Sequence, residues 1–272
     1  MTTSGVSYSV FTKPWKALSL QQLGEFVAGL GFDGIELPVR PGYQVEPEQV
    51  GDLPKAARQL AEFGVKILSV AGPADEATIA ACAAADVPTI RIMAPVDRGE
   101  TYLEAEARYR REFDALVPLL EKYGVQVGVQ NHYGRFVANA AGLRSLVEGY
   151  DPRHIAIVWD AAHEALDGME PDLALDMVWS QLCMVNLKNA FWRRVERAAT
   201  SESAVDVAEW EVYWTTGLQG RAAWPRVVHE LQRRGYEGVV CLTAEYTEED
   251  AVDRLIALDI AFARSLFEEG AL

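Results

Sequence analysis

The chain has 272 residues, half of them hydrophobic, and a formal net charge of −15. That size suits one large core, of the kind found in barrels of roughly 250 residues, and a single domain is expected over residues 1–272. The negative surface repels phosphate backbones and argues against nucleic-acid binding. No apolar run approaches the roughly 18 residues needed to span a bilayer. The first residues, MTTSGVSYSV, lack a basic stretch followed by an apolar one, so no secretory signal is expected. Three scattered cysteines, Cys82, Cys183 and Cys241, fit a reduced cytoplasmic protein better than a disulfide framework.

In chain order, Tyr8–Phe11 reads as a short strand. Ser19–Leu30 follows as a helix, with Leu20, Leu23, Phe26, Val27 and Leu30 at helical spacing and Ser19 as its cap. Gly34–Pro38 is strand two. Leu53–Phe63 is a helix that stops at Gly64. Val65–Ala71 is strand three, Asp75–Ala84 a helix of small residues, and Thr89–Met93 strand four. A long helix over Tyr102–Tyr123 ends at Gly124 and leads to strand five, Val125–Gln130. A helix at Ala140–Glu148 precedes strand six, Ile155–Asp160. Leu173–Trp179 is helical and Cys183–Lys188 is strand seven. Arg194–Glu209 reads as a long loop with some helix. Trp224–Arg234 is a helix, Val239–Ala244 is strand eight, and Glu249–Phe267 is the last helix. Eight strands, each followed by a helix, predict a parallel α/β sheet closed into a (β/α)8 barrel. No Gly-rich turn follows the first strand, so the dinucleotide fingerprint is missing.

Strand side chains alternate between faces. Ile35 and Leu37 oppose Glu36. Val125, Val127 and Val129 oppose Gln126, Gly128 and Gln130. Ile155, Ile157 and Trp159 oppose Ala156, Val158 and Asp160. The aliphatic parity suits the face under the helices. The other parity then points into the barrel and gathers Glu36, Arg91, Gln130, Asp160, Asn186, Lys188, Thr243 and Glu245 near the strand ends. Burying such groups costs roughly 1–3 kcal/mol each unless they are paired. The arrangement therefore predicts either an internal network, for example Arg91 with Glu36, or a ligand pocket.

The motifs GFDGIEL (Gly31–Leu37), VQNH (Val129–His132), WDAAH (Trp159–His163), VNLKN (Val185–Asn189), GLQGRAAW (Gly217–Trp224) and GYEGVVCLTAEY (Gly235–Tyr246) occur in this order. In order and spacing the chain resembles the xylose isomerase-like TIM barrels, which include sugar-phosphate isomerases and epimerases. The resemblance implies a divalent metal (Mn, Mg, Co or Zn) held by Glu, Asp, His and Glu from strands five to eight, with the two glutamates moving protons. Those positions fall on Gln130, Asp160, Asn186 and Thr243, so only Asp160 keeps its residue type. Hard cations are bound largely by anionic oxygen. Asp160, His163 and Glu245 are the candidates for an atypical metal site, and a site without any metal is the other expectation.

For metal-free chemistry, Lys188, His163, Glu36 and Glu245 are the candidate catalytic residues. His132, Gln130, Asn186, Arg91 and Trp15 are candidate substrate contacts. The expected function is that of a sugar isomerase or epimerase in carbohydrate metabolism. It would act on a small polyhydroxylated or keto substrate by proton transfer at a carbon beside a carbonyl. The alternative is a barrel that binds a small ligand without turning it over. The expected partner is a carbohydrate-like small molecule, with no nucleic acid and no membrane. The aromatic run Trp210–Trp214 is a candidate homodimer contact.

Overall fold

A computed structural model describes residues 5–195 and 208–269. Its centre is a closed barrel of eight parallel strands: β1 (Ser7–Phe11), β2 (Gly34–Pro38), β3 (Lys66–Ala71), β4 (Thr89–Met93), β5 (Gln126–Gln130), β6 (Ile155–Asp160), β7 (Leu182–Leu187) and β10 (Val239–Leu242). Neighbours around the barrel run β1, β10, β7, β6, β5, β4, β3, β2, so the first and last strands close the ring. Two further strands, β8 (Asn189–Val195) and β9 (Glu209–Thr215), form an antiparallel ribbon above β7.

Nine helices accompany the described strands: α1 (Leu20–Leu30), α2 (Leu53–Ala61), α3 (Glu76–Ala84), α4 (Tyr102–Tyr123), α5 (Ala140–Val147), α6 (Ala161–Asp167), α7 (Pro171–Val178), α8 (Trp224–Arg233) and α9 (Val252–Glu269). Their ends follow local chemistry. Ser19 and Gln22 form a reciprocal capping box at the start of α1, and Gly31 closes it at φ 83°. Thr101 and Glu104 do the same for α4, which ends at Gly124 with φ 67°. No described helix is long and apolar enough to cross a membrane.

The parity expectation holds around most of the ring. Ile35, Val127, Val129, Ile157, Trp159, Val185, Val240 and Leu242 join the large apolar cluster under the helices. Inside the barrel, Phe11, Ala71, Val158, Met184 and Cys241 form a separate small plug. Gly128 is required beside it, because a Cβ there would lie 2.6 Å from Val158 Cγ2. Two strands depart from strict alternation. In β7 the pairing with β6 jumps from Ile157 opposite Leu182 to Val158 opposite Met184, so Cys183 is an extra residue. In β3 the pairing with β2 jumps from Ile35 opposite Ile67 to Glu36 opposite Ser69, so Leu68 is an extra residue and the alternation resets. That bulge turns Ser69 towards Glu36.

Two segments correct the sequence reading. Arg194, Val195 and Glu209, expected in a loop with some helix, are strand residues of the ribbon, Ala208 belongs to no helix or strand, and 196–207 lie outside the described residues. Helix α6 was not expected. It starts directly at the end of β6 because the Asp160 carboxylate accepts from Ala162 N at 3.0 Å and His163 N at 3.1 Å.

Candidate active site

The C-terminal strand ends build a floor and a mouth. On the floor, Arg91 Nε donates to both carboxylate oxygens of Glu36 at 2.8 and 2.9 Å, and its Nη2 lies 2.7 Å from Glu36 Oε2. Ser69 Oγ donates to the same carboxylate at 3.0 Å. Arg91 Nη1 donates to Gln130 Oε1, and Gln130 Nε2 passes the chain on to Asp160 Oδ2 at 2.9 Å. Four candidate residues thus form one hydrogen-bonded line across the barrel. Burial pushes the Asp160 carboxyl up to about 6, although the nearby Lys188 ammonium and the His163 N–H work against that rise. The carboxyl of Glu36 is fully occupied by Arg91 and Ser69.

At the mouth, Glu245 accepts from both Lys188 and Lys13. The two ammonium groups hold its carboxyl far below the usual carboxylate range despite burial. Ala244 aims this side chain. It takes φ 51°, the left-handed region that L residues rarely adopt, just where β10 ends. The Lys188 ammonium also lies 3.6 Å from the centre of the Trp214 ring.

Beside the lysine, aromatic rings wall the mouth. His132 and His163 are 4.1 Å apart between ring centres, and Tyr133 stacks on both at 5.2 and 5.5 Å. The tautomers follow from the bonds. His132 Nδ1 sits 2.9 Å from the Tyr133 carbonyl, which only accepts, so Nδ1 carries the proton and Nε2 is a lone-pair base. Tyr133 N–H donates to His163 Nδ1 at 3.4 Å, so His163 carries its proton on Nε2, 3.9 Å from Asp160 Oδ2. Burial, with Lys188 and Arg91 adding to it, keeps both imidazoles neutral below their usual range.

An inner chamber of about 90 Å³ lies over the floor, lined by residues that include Lys13, Arg40, His132, Asn186, Thr243 and Glu245. An outer chamber of about 660 Å³, with Tyr43, Tyr133, Lys188, Trp214 and Tyr246 among its walls, opens above it. Lys188, Glu245, Gln130, Asn186 and Arg91 therefore converge as expected from parity, and His132, from the loop after β5, and His163, from α6, join them. Trp15 does not. It is buried, donates to Asp253 Oδ1 at 2.7 Å and packs on Phe26, so it fastens α9 and α1 to the barrel instead of facing a ligand.

Lys13 and Arg40 were missed. Arg40 continues the parity of Glu36 and Pro38 just past β2, whereas Lys13 opens a short 3-10 turn after β1, at Lys13–Trp15, and has no strand period to read. Asn131 and Glu164, which brace β6, α5 and α6 behind the site, carry no such pattern.

The residues present do not fit a divalent cation. Asp160 is already bonded by two backbone N–H groups and two side-chain amides. Glu245 is held between two lysines, and the surplus positive charge of that trio lies where a cation would sit. Among the described residues, no three His, Cys, Asp or Glu side chains converge on one point, so Asp160, His163 and Glu245 do not assemble the atypical metal site.

A closed parallel barrel whose polar side chains gather at the strand C-terminal ends defines a (β/α)8 barrel with its site at the mouth. The chain belongs to the xylose isomerase-like TIM barrel family, whose model matches residues 25–266. No curated protein matches it. Among solved structures, it is similar to D-psicose 3-epimerase from Clostridium cellulolyticum H10, solved with D-tagatose: 15% identity and TM-score 0.72 over 96% of this chain and 99% of that one. It is also similar to 3-keto-D-glucoside 4-epimerase from E. coli, at 14% identity and TM-score 0.73 over 96% and 99%. A third is the probable 3-DHS dehydratase from Bacillus anthracis, at 14% identity and TM-score 0.65 over 93% and 98%. Likenesses at this identity establish the fold.

Proposed function

We propose that the mouth binds a small polyhydroxylated or keto compound and moves a proton at the carbon beside its carbonyl, using organic cations in place of a metal. The observation that carries this reading is the pairing of a neutral His132, with Nε2 unprotonated, with the Lys188 ammonium on the wall of the same chamber. His132 Nε2 takes the proton from carbon. Lys188, already positioned by Glu245 and Trp214, faces the oxygen on which negative charge develops. Glu245 remains an ionised counter-ion, since its lysines hold it far below the range of a useful acid. Membership of a family whose structural neighbours include sugar epimerases supports the same class of chemistry.

The experiment is NMR in D₂O with a panel of ketoses and keto acids. Loss of the C–H signal beside the carbonyl is expected, at equal rates with chelator and with added Mn²⁺. His132→Asn and Lys188→Met should each slow it roughly a hundredfold. Because the His132 ring is neutral below its usual range, the acid limb of the rate should lie under pH 6.5. A rate that appears only with added metal sinks the reading. The fully paired floor, from Glu36 through Arg91 and Gln130 to Asp160, favours a second reading, a barrel that binds without turnover. Tight ligand binding with every C–H intact would select it.

A further inference from the structure

The inner chamber carries a charge imbalance that the proposed proton transfer does not use. Glu245 offers one carboxylate to two ammonium groups, leaving a surplus positive charge at Lys13 and Lys188. Arg40 lines the same chamber with no ion-pair partner among the described residues, its guanidinium 5.6 Å from the centre of the Phe11 ring. Arg91 adds nothing further, being neutralised by Glu36. The opposite charge, Asp160, lies on the floor behind the Gln130 and Asn186 amides.

Two buried polar atoms in the chamber also lack partners. Asn186 is fully buried and Thr243 is 5% exposed, yet Asn186 Oδ1 and Thr243 Oγ1 bond to nothing. Buried polar atoms are ordinarily paired, so these two mark where a ligand hydroxyl would be received. Asn186 Oδ1 accepts a hydrogen bond, and Thr243 Oγ1 both donates and accepts.

We propose that the ligand is a small hydroxy acid or keto acid. Its carboxylate sits between Lys13 and Arg40, and a hydroxyl meets Asn186 and Thr243. The chamber of about 90 Å³ is too small for a whole sugar, so the remaining carbons extend into the outer chamber under Tyr133 and Trp214. The charges also set the orientation, because the reverse pose would bring the carboxylate against Asp160. Glu249 and Asp250 stand on the outer chamber's rim and not in the inner chamber. This inference rests on the mouth being the ligand site and adds the charge of the ligand.

The test is titration calorimetry with D-gluconate and 2-keto-D-gluconate against the neutral ketoses D-fructose and D-tagatose. The acids are expected to bind at least tenfold more tightly. Arg40→Gln should remove most of that margin and Arg40→Lys should keep it, with melting curves confirming that both variants fold. Neutral ketoses binding as tightly as the acids, or a margin untouched by Arg40→Gln, overturns the proposal while the reading of the mouth stands. Absence of binding by all four compounds sinks both.

Discussion

Arg91 and Glu36 meet where water cannot replace either partner, at 6% and 0% exposure of their side chains. Such a pair adds little net stability over an apolar pair, yet breaking it leaves a bare charge. Arg91→Leu should therefore cost about 3–5 kcal/mol in urea unfolding, and Arg91→Leu with Glu36→Leu should recover much of that loss. Glu164 shows the same principle through pH. Burial pushes its carboxyl up to about 7 from 4.5, although Ala140 N and Trp159 Nε1 donate to it. The native state thus holds this proton more tightly than the unfolded chain, and the contribution of Glu164 to stability falls as pH rises from about 4.5 to 7. His132 and His163 act in the opposite sense below pH 6.5, so the variant difference isolates the effect. Relative to Glu164→Gln, the natural protein should lose on the order of 3 kcal/mol between pH 5 and pH 8. Parallel unfolding curves for the two proteins at both pH values would contradict this assignment.

The ribbon is the element that turns a bare barrel end into a walled cavity. Its inner face, with Ala190, Val212 and Trp214, packs on Ala162, Leu166 and Tyr133, and Trp192 Nε1 donates to the Leu166 carbonyl at 3.2 Å. Asn189 anchors the base, donating to the carbonyls of Gly217 and Ala222 at 2.9 Å each and accepting from Ala222 N at 2.8 Å. Gly220 lets the chain pass this amide. A Cβ there would lie 2.0 Å from Asn189 Oδ1 and 2.6 Å from Ala190 N. Gly220→Ala should cost about 1–3 kcal/mol and shift the tryptophan emission of the ribbon, as read by thermal melting and fluorescence.

Sequence reasoning recovered the barrel strands because their aliphatic residues keep a strict period of two, as Val125, Val127 and Val129 do. It placed the floor residues for the same reason. It could not see the Leu68 bulge, since a skipped residue changes pairing without changing composition. It missed α6 because seven residues give no helical period to read and the signal is one carboxylate, Asp160, doing the work of a cap. Trp15 looked like a pocket wall from its place after β1, but the partner that holds it, Asp253, is 238 residues away.

At the scale of the molecule, the barrel closes where β10 slots between β1 and β7. Lys13 follows β1, Glu245 follows β10 and Lys188 follows β7, so the trio that charges the mouth also spans the closing seam. Its members are separated by up to 232 residues along the chain. Contacts of that span assemble late, since both ends of the chain must already be in place. Removing the central carboxylate should consequently leave the rate of refolding almost untouched and accelerate unfolding. Stopped-flow traces of Glu245→Ala in urea should show one displaced limb, and a slowed refolding limb would contradict late closure. The clasp that gives the cavity its charge is then also a latch on the lifetime of the native state, so a variant chosen to change what the cavity holds would change how long the barrel stays shut.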